Sequence, residues 1–145
     1  MKNPKPRILQ PKSTYTMDYD FAIEYANQQM EIFWHPMEIN VEKDLQQVKT
    51  ELTDAEMHGI ITTLKLFTLY EIHVGSDYWS DVVGKIFMRP DIQRMSNAFS
   101  FFEINVHAPF YNRLNEILGL NNDDFFKGDI HFGFNITRVF SFNKQ

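Results

Sequence analysis

Apolar and polar positions alternate at helical spacing from Asp18 onward and predict a first helix. This helix should stop near Trp34, because Pro36 disfavours a helical conformation at the residue before it and cannot continue the hydrogen-bond ladder. The pattern then predicts a connector over 37–44 and a weak short helix that ends at about Glu51.

A second, long helix is predicted to start at Thr53 and to run to about Val83. Thr53 and Glu56 have the spacing of a capping box, in which each side chain satisfies a free backbone amide of the first turn. Gly75 lies inside this helix and should weaken it slightly. One apolar side, interrupted by a single acid, is expected to face inward: Ile60, Leu64, Phe67, Glu71, Val74 and Tyr78.

A third helix is predicted from the segment Arg89-Pro90-Asp91, where proline and an acid occupy the first turn. It should end near Leu118, since Gly119 suits the residue after a helix. Helices two and three are both long and closely connected, so they should pack antiparallel in a bundle. The inward side of helix three contains polar residues among apolar ones: Ser100, Glu103, His107, Tyr111, Leu114 and Leu118.

The two ends of the sequence differ from this helical domain, which we place at 18–124. Residues 1–17 contain four basic residues, three prolines and no acid, which predicts an extended arm on the surface. Attraction of an anionic partner is the alternative explanation for its charge. Residues 125–145 are rich in aromatic residues and glycine and show no helical period, so we assign them to a divergent, atypical tail.

Composition narrows the class of protein. The chain is 43% hydrophobic with a net charge of −5, which favours a folded domain and gives no reason to expect nucleic acid as a partner. The absence of cysteine excludes disulfides and thiolate chemistry. The sequence shows no membrane-length apolar run and no signal peptide, so we expect a cytoplasmic protein without a membrane partner.

Two acids and an imidazole interrupt the apolar sides of the long helices: Glu71 on the second, and Glu103 with His107 on the third. Buried carboxylates and imidazoles cost free energy unless they are coordinated or hydrogen-bonded. Bundles hold di-iron and di-manganese centres with such side chains, because oxygen and nitrogen ligands suit those metals. Each residue also has an ordinary alternative, namely an acid paired with a base or a hydrogen-bonded core histidine. His73 should face away from Glu71.

Three segments of the sequence resemble the small, radical-generating subunit of class I ribonucleotide reductase. They occur in the family's order, at 33–39 (FWHPMEI), 64–71 (LKLFTLYE) and 106–111 (VHAPFY), and the resemblance covers roughly residues 15–120. It implies a ferritin-like helical bundle that binds two metal ions, iron or manganese. In the family these metals react with oxygen and oxidise a nearby tyrosine to a stable radical. The oxidising power then passes to the large subunit, which reduces ribonucleotides to deoxyribonucleotides.

The resemblance also implies roles for individual residues. Glu71 takes the place of the first carboxylate ligand, which is commonly Asp in the family, and His107 takes the place of the imidazole ligand of the same metal. Tyr111, one helical turn further on, matches the radical-bearing tyrosine. Trp34 matches the path that carries the radical to the large subunit, and the alternative is a core indole at a helix end.

One departure from the family concerns the third ligand. Glu103 stands four residues before His107, whereas the family has a glutamate three residues before its histidine. Both offsets keep the two side chains on one face, so Glu103 remains the candidate. A one-residue π-bulge would restore the register, and Pro109 favours it because proline leaves the Asn105 carbonyl without its helical partner.

A second departure concerns the other metal of the pair. The family takes a further carboxylate and a Glu-x-x-His pair from later helices, and neither occurs after Tyr111 in this sequence. We therefore expect the N-terminal portion of a small subunit, an incomplete bundle from an interrupted gene of the kind known in phages, with the tail as read-through. Such a chain should dimerise or pair with a complementary C-terminal fragment. Alone, it should bind metal weakly, form no radical and be inactive.

Two alternatives remain at the level of the sequence. A different di-metal ferritin-like oxidase would use the same ligands to oxidise a substrate, although the segment around Trp34 argues for a radical exit path. An inactive helical interaction protein would pair the polar stripe internally.

Overall fold

A computed structural model describes residues 6–120, and every regular element in that range is helical. The α-helices are α1 (Asp20–Glu31), α2 (Leu45–Thr50), α3 (Asp54–His73), α4 (Gly84–Ile86), α5 (Pro90–Phe102) and α6 (Ala108–Ile117). Two π-helical segments, Val74–Val83 and Glu103–His107, connect α3 to α4 and α5 to α6. The all-α prediction is thereby confirmed for this part of the chain, while the tail predicted at 125–145 lies outside the described residues.

The start of α1 is fixed from a distance by the start of α5. Asp91 is fully buried and accepts hydrogen bonds from the backbone amides of Asp18, at 2.8 Å, and Tyr19, at 3.0 Å. Arg89 is also buried and pairs with the Asp18 carboxylate. The predicted helix start at Arg89-Pro90-Asp91 is confirmed, and its acid also satisfies amides at the start of another helix.

Helix α1 ends at Glu31, three residues before the predicted end at Trp34. The restriction that Pro36 imposes is visible at His35, whose backbone is extended (φ −94°, ψ 135°). Two 3₁₀ turns, Pro36–Glu38 and Val41–Lys43, then occupy most of the predicted connector.

The capping box at the start of α3 is confirmed. The Thr53 amide donates to Oε2 of Glu56 at 2.9 Å, and the Glu56 amide donates back to the threonine hydroxyl at 3.4 Å. After α6, Gly119 has a φ of 74°, the left-handed conformation expected of the residue that ends a helix.

The two long helices form the predicted antiparallel pair. Helix α5 packs against the π-helical segment Val74–Val83, and α6 packs against α3, so the chain after the turn at 87–89 runs back along the helix that precedes it. Helix α1 lies against α5. The core sits between α1, α5 and the end of the second long helix, around Ala22, Val83 and Ile92.

The apolar side that the sequence assigns to the interior of α3 is only partly covered. Leu64 is buried, whereas Phe67 is 44% exposed and Ile60 and Tyr78 are more than a third exposed. Much of this apolar side is therefore exposed to solvent. Over residues 6–120, no helix combines the length and apolar character that crossing a membrane requires.

Candidate metal centre

Three polar side chains from the two long helices converge on one point. The Nδ1 atom of His107 lies 3.3 Å from Oε2 of Glu71 and 3.1 Å from Oε2 of Glu103. The two carboxylate side chains are 12% and 17% exposed, and the imidazole is 34% exposed, so the cluster is largely withdrawn from water. The structure thus brings together all three residues that the sequence singled out as metal ligands.

A π-helical turn brings Glu103 and His107 together, as the sequence predicted. The segment Glu103–His107 is π-helical, and the Ala108 amide donates to the Glu103 carbonyl five residues back. Pro109 follows directly and offers no amide to a regular α-helical ladder. Across this turn, Nδ1 of His107 and Oε2 of Glu103 lie 3.1 Å apart.

Close approach of the two helices depends on Gly75. A Cβ atom at this position would lie 2.6 Å from Cγ1 of Ile104 and 3.0 Å from Cβ of Glu103. Real Cβ contacts are essentially never as short as the first of these, so only glycine fits between the helices. By sequence alone this glycine only weakens the helix, whereas in the structure it permits the close approach of Ile104.

The electrostatics of the cluster follow from two acids sharing a confined space. Burial, together with the neighbouring Glu103 carboxylate, raises the pKa of Glu71 to about 7. Burial also acts on Glu103, but hydrogen bonds from His107 and Glu71 outweigh it and hold the pKa of Glu103 below its usual value. The hydrogen bond to Glu103 raises the pKa of His107. At neutral pH the two acids and the imidazole therefore share protons. These protons offset the negative charge that a bound cation would otherwise neutralise.

The donor set fits a divalent transition metal. One ligand atom from each of Glu71, Glu103 and His107 can be chosen so that all three lie within 4.8 Å of one another. Two carboxylate oxygens and one imidazole nitrogen are ligands that iron and manganese accept. Within residues 6–120 no other group of three such residues meets this criterion.

Tyr111 lies on α6, one turn beyond His107, and it is half-buried. Its ring stacks on that of Phe67, with centroids 5.2 Å apart and planes 6° from parallel. Burial raises the pKa of the Tyr111 phenol, and the negative charges of Glu71 and Glu103 raise it further. The phenol therefore lies within the electrostatic field of the cluster.

Trp34 contacts the cluster through His107. Its indole stacks on the imidazole of His107, with centroids 6.1 Å apart and an angle of 26° between the planes, and it meets the ring of Phe110 edge-on. The sequence offered a core indole at a helix end as the alternative. The indole is half-buried and lies beyond the end of α1, in direct contact with a residue of the cluster.

Two other histidines of the helical region have ordinary explanations. His73 pairs with Asp77, at 2.6 Å, and does not join the cluster, as its position on the helix predicted. His35 accepts a hydrogen bond from the Met37 amide at the start of a 3₁₀ turn.

Sequence reasoning missed two residues that shape the site. Gly75 carried a usable signal, because a glycine inside a long helix often marks a close approach of two elements. Arg113 carried none, since its three acceptors belong to a segment about 70 residues earlier.

Comparison with known proteins gives one family. The sequence model of the family described as ribonucleotide reductase, small chain, matches residues 12–128, which is well over half of the chain. The search of curated proteins gives no significant match.

Proposed function

Since the chain belongs to the ribonucleotide reductase small-chain family, we propose that it holds one metal of a di-metal centre and the tyrosine that this centre oxidises. The single observation that carries the proposal is the convergence of Glu71, Glu103 and His107 beside Tyr111. The family is one of oxidoreductases whose small chains generally bind a di-metal centre and act with a large subunit.

Each side chain of the cluster has a role that follows from its chemistry. The two carboxylates would neutralise a divalent cation, and Nδ1 of His107, the atom that lies nearest both carboxylates, would be the nitrogen ligand. Binding would displace the protons that hold the acids together, because a metal ligand must be deprotonated. When bound, the metal pair supplies the oxidising power that the family derives from oxygen.

Tyr111 would be the residue oxidised. Removing one electron from a phenol makes its hydroxyl strongly acidic, so a proton must leave as well, and the nearby carboxylates of the cluster are natural acceptors. The stacked ring of Phe67 limits the approach of water to one face of the phenol. Covering Phe67, which is 44% exposed, would complete a dry environment of the kind that protects a reactive group from side reactions.

Trp34 would connect the cluster to the large subunit. Its indole stacks on His107, and Trp34 itself belongs to the segment 33–39 that follows α1, so it links the cluster to a different part of the chain. Among di-metal proteins with this fold, such an exit path favours a reductase small chain over an oxidase that acts on its own substrate.

The ligands of a second metal would come from outside residues 6–120. The described residues contain one three-ligand group, and no second Glu-x-x-His pair follows Tyr111 in the sequence. We propose that a complementary chain supplies these ligands and covers the exposed side of α3 near Phe67. A three-ligand site by itself should bind metal weakly.

Reconstitution with iron tests this proposal. The purified 145-residue chain should bind Fe²⁺ weakly under anaerobic conditions and give no tyrosyl radical signal in electron paramagnetic resonance after oxygen is admitted. Addition of the C-terminal half of a family small chain, which carries the second Glu-x-x-His pair, should produce the signal. The same mixture made with Tyr111→Phe should remain silent.

Two results would overturn the proposal. A radical that persists in the Tyr111→Phe mixture would place the oxidised residue elsewhere. Failure of the wild-type chain to bind any divalent metal would remove the basis of the centre.

Metal affinity should depend steeply on pH. The pKa of Glu71 is raised to about 7, so its carboxyl group is mostly protonated below that pH, and the raised pKa of His107 favours its charged form. Each group must lose the proton it holds before it coordinates a metal. The affinity for Co²⁺, used as a probe without oxygen chemistry, should therefore rise between pH 6 and pH 8, by up to about tenfold per pH unit for each proton displaced. Calorimetric titration in buffers of different ionisation enthalpy counts those protons. Affinity that stays constant over this range would contradict the protonation pattern described above.

A further inference from the structure

Arg113 on α6 binds three acceptors in the segment that follows Trp34. Its Nη1 atom donates to the Pro36 carbonyl at 3.0 Å and to the Ile39 carbonyl at 2.8 Å, and its Nη2 atom donates to the Glu42 carboxylate at 2.8 Å. The arginine side chain is only 17% exposed, whereas that of Glu42 is 57% exposed. The contact with the Pro36 carbonyl is part-buried, whereas the contacts with the Ile39 carbonyl and the Glu42 carboxylate are exposed.

The segment that these contacts hold has little regular structure of its own. It consists of the 3₁₀ turns Pro36–Glu38 and Val41–Lys43, each only three residues long. Such turns leave most of their carbonyls without partners inside the turn. The Arg113 guanidinium bonds the Pro36 carbonyl of the first turn and adds a second bond to the Ile39 carbonyl, which already accepts from the Val41 amide. These charge-assisted hydrogen bonds support a segment that has no helical ladder of its own.

The same helix that carries Arg113 also carries the surface on which Trp34 rests. Phe110 lies three residues before Arg113, so the two side chains share one face of α6, and Phe110 meets the indole edge-on at 5.3 Å. His107 lies one turn earlier again and stacks on the indole. The aromatic contacts and the arginine contacts therefore fix the two ends of the short run between Trp34 and Ile39.

We infer that Arg113 is a positioning residue that keeps the indole of Trp34 stacked on His107 by tying the following segment to α6. Trp34 begins this segment, only two residues before Pro36, so a displacement of the turn displaces the indole. The inference rests on the proposed function for its importance, because the stack matters to the reaction only if Trp34 transmits the radical. The contacts of Arg113 and the stack of Trp34 on His107 do not depend on whether Trp34 transmits a radical.

The guanidinium group suits this task better than an ammonium group. Arginine presents five donors in a rigid, planar fork, and here the fork spans two carbonyls and a carboxylate at once. Lysine has a single nitrogen at the end of a flexible stem and would reach only some of these acceptors. Arg113→Lys should consequently weaken the stack, and Arg113→Met, which retains only the apolar stem, should abolish it.

The test reads the stack directly in the metal-free, full-length chain. An aromatic ring stacked on an imidazole displaces the imidazole proton resonances upfield, so the ring protons of His107 report the indole in a carbon–proton correlation spectrum. Trp34→Leu gives the reference without an indole. Acrylamide quenching in a Trp79→Phe background, where Trp34 is the remaining tryptophan, reports its exposure independently.

The expected order of variants is specific. Arg113→Met should move the His107 resonances to the position seen in Trp34→Leu and increase quenching, with Arg113→Lys intermediate and the helical circular dichroism unchanged. Glu42→Gln, which alters only the exposed acceptor, should leave both readouts as in the wild type. The inference is overturned if Arg113→Met and Arg113→Lys both keep the wild-type resonances. Because no metal or radical is involved, this result is separate from success or failure of the reconstitution experiment.

Discussion

The His107→Ala variant is expected to lose affinity for Co²⁺ and Fe²⁺ by more than about 100-fold, since even the outer-shell partners of metal ligands are commonly worth 10–100-fold. His107 provides the one nitrogen of the cluster, and its Nδ1 atom lies against both carboxylates. Its removal also leaves Glu71 and Glu103 as neighbouring acids without their shared partner. Titration of Co²⁺ at pH 8, followed by visible absorption and calorimetry, measures the loss.

A second substitution distinguishes coordination from general stability. Glu71→Gln replaces the carboxyl group by a neutral group of the same shape, which relieves repulsion from Glu103 in the metal-free chain. The free energy of unfolding without metal should stay the same or rise, whereas metal affinity should fall. A purely structural role for Glu71 would make both quantities change in the same direction.

His58→Ala is the matched control for the histidine variant. His58 lies on α3, is exposed, and does not belong to the three-ligand group. This variant should bind metal as the wild type does. Equal losses in His58→Ala and His107→Ala would show that the measured binding comes from surface histidines, and the candidate centre would be rejected.

The Gly75→Ala variant should destabilise the chain by about 1–3 kcal/mol, the usual cost of forcing extra atoms into a packed contact. The added methyl group would collide with Ile104 and touch Glu103, both in the second π-helical segment. The helices must separate to admit it, so metal affinity should fall together with stability. Chemical denaturation and Co²⁺ titration of the same preparation measure the two effects.

Gly59→Ala provides an internal comparison on the same long helix. A Cβ atom at this position has nothing within 4 Å, and the residue is exposed. Alanine favours a helix over glycine by about 0.8–1.0 kcal/mol, so this variant should be more stable than the wild type and should bind metal equally well. If both glycine variants became more stable, the close approach at Gly75 would not exist in solution.

Local sequence signals predicted the elements of the fold well where they depend on neighbouring residues. The capping box at Thr53, the proline and acid at the start of α5, and Gly119 after α6 all act within one turn of the chain. The end of α1 was predicted three residues too late. Pro36 shows that a helix cannot continue through it, but it does not show at which earlier residue the helix ends.

The second π-helical segment was predictable and the first was not. The four-residue offset between Glu103 and His107, followed by Pro109, indicated an irregular turn from the sequence. Nothing comparable marks Val74–Val83, where the Gly84 amide donates to the carbonyl of Trp79 five residues back. The predicted inward side assumes 100° per residue, so the prediction fails beyond His73, where the chain is π-helical. Tyr78, which was predicted to face inward, is more than a third exposed.

The sequence by itself determined which residues are chemically capable and on which helices they lie, because helical periodicity and ligand chemistry are local properties. Glu71, Glu103, His107 and Tyr111 were identified in this way, whereas Trp34 and the role of Tyr111 came from the resemblance of short segments to a known family. Their convergence was decided only by the tertiary structure, since it depends on the distance between two helices. Gly75 sets that distance by having no side chain, and Arg113 holds the indole in place through carbonyls about 70 residues away. Contacts between residues so far apart in the sequence produce no periodic pattern of residue types, so only the folded structure reveals them.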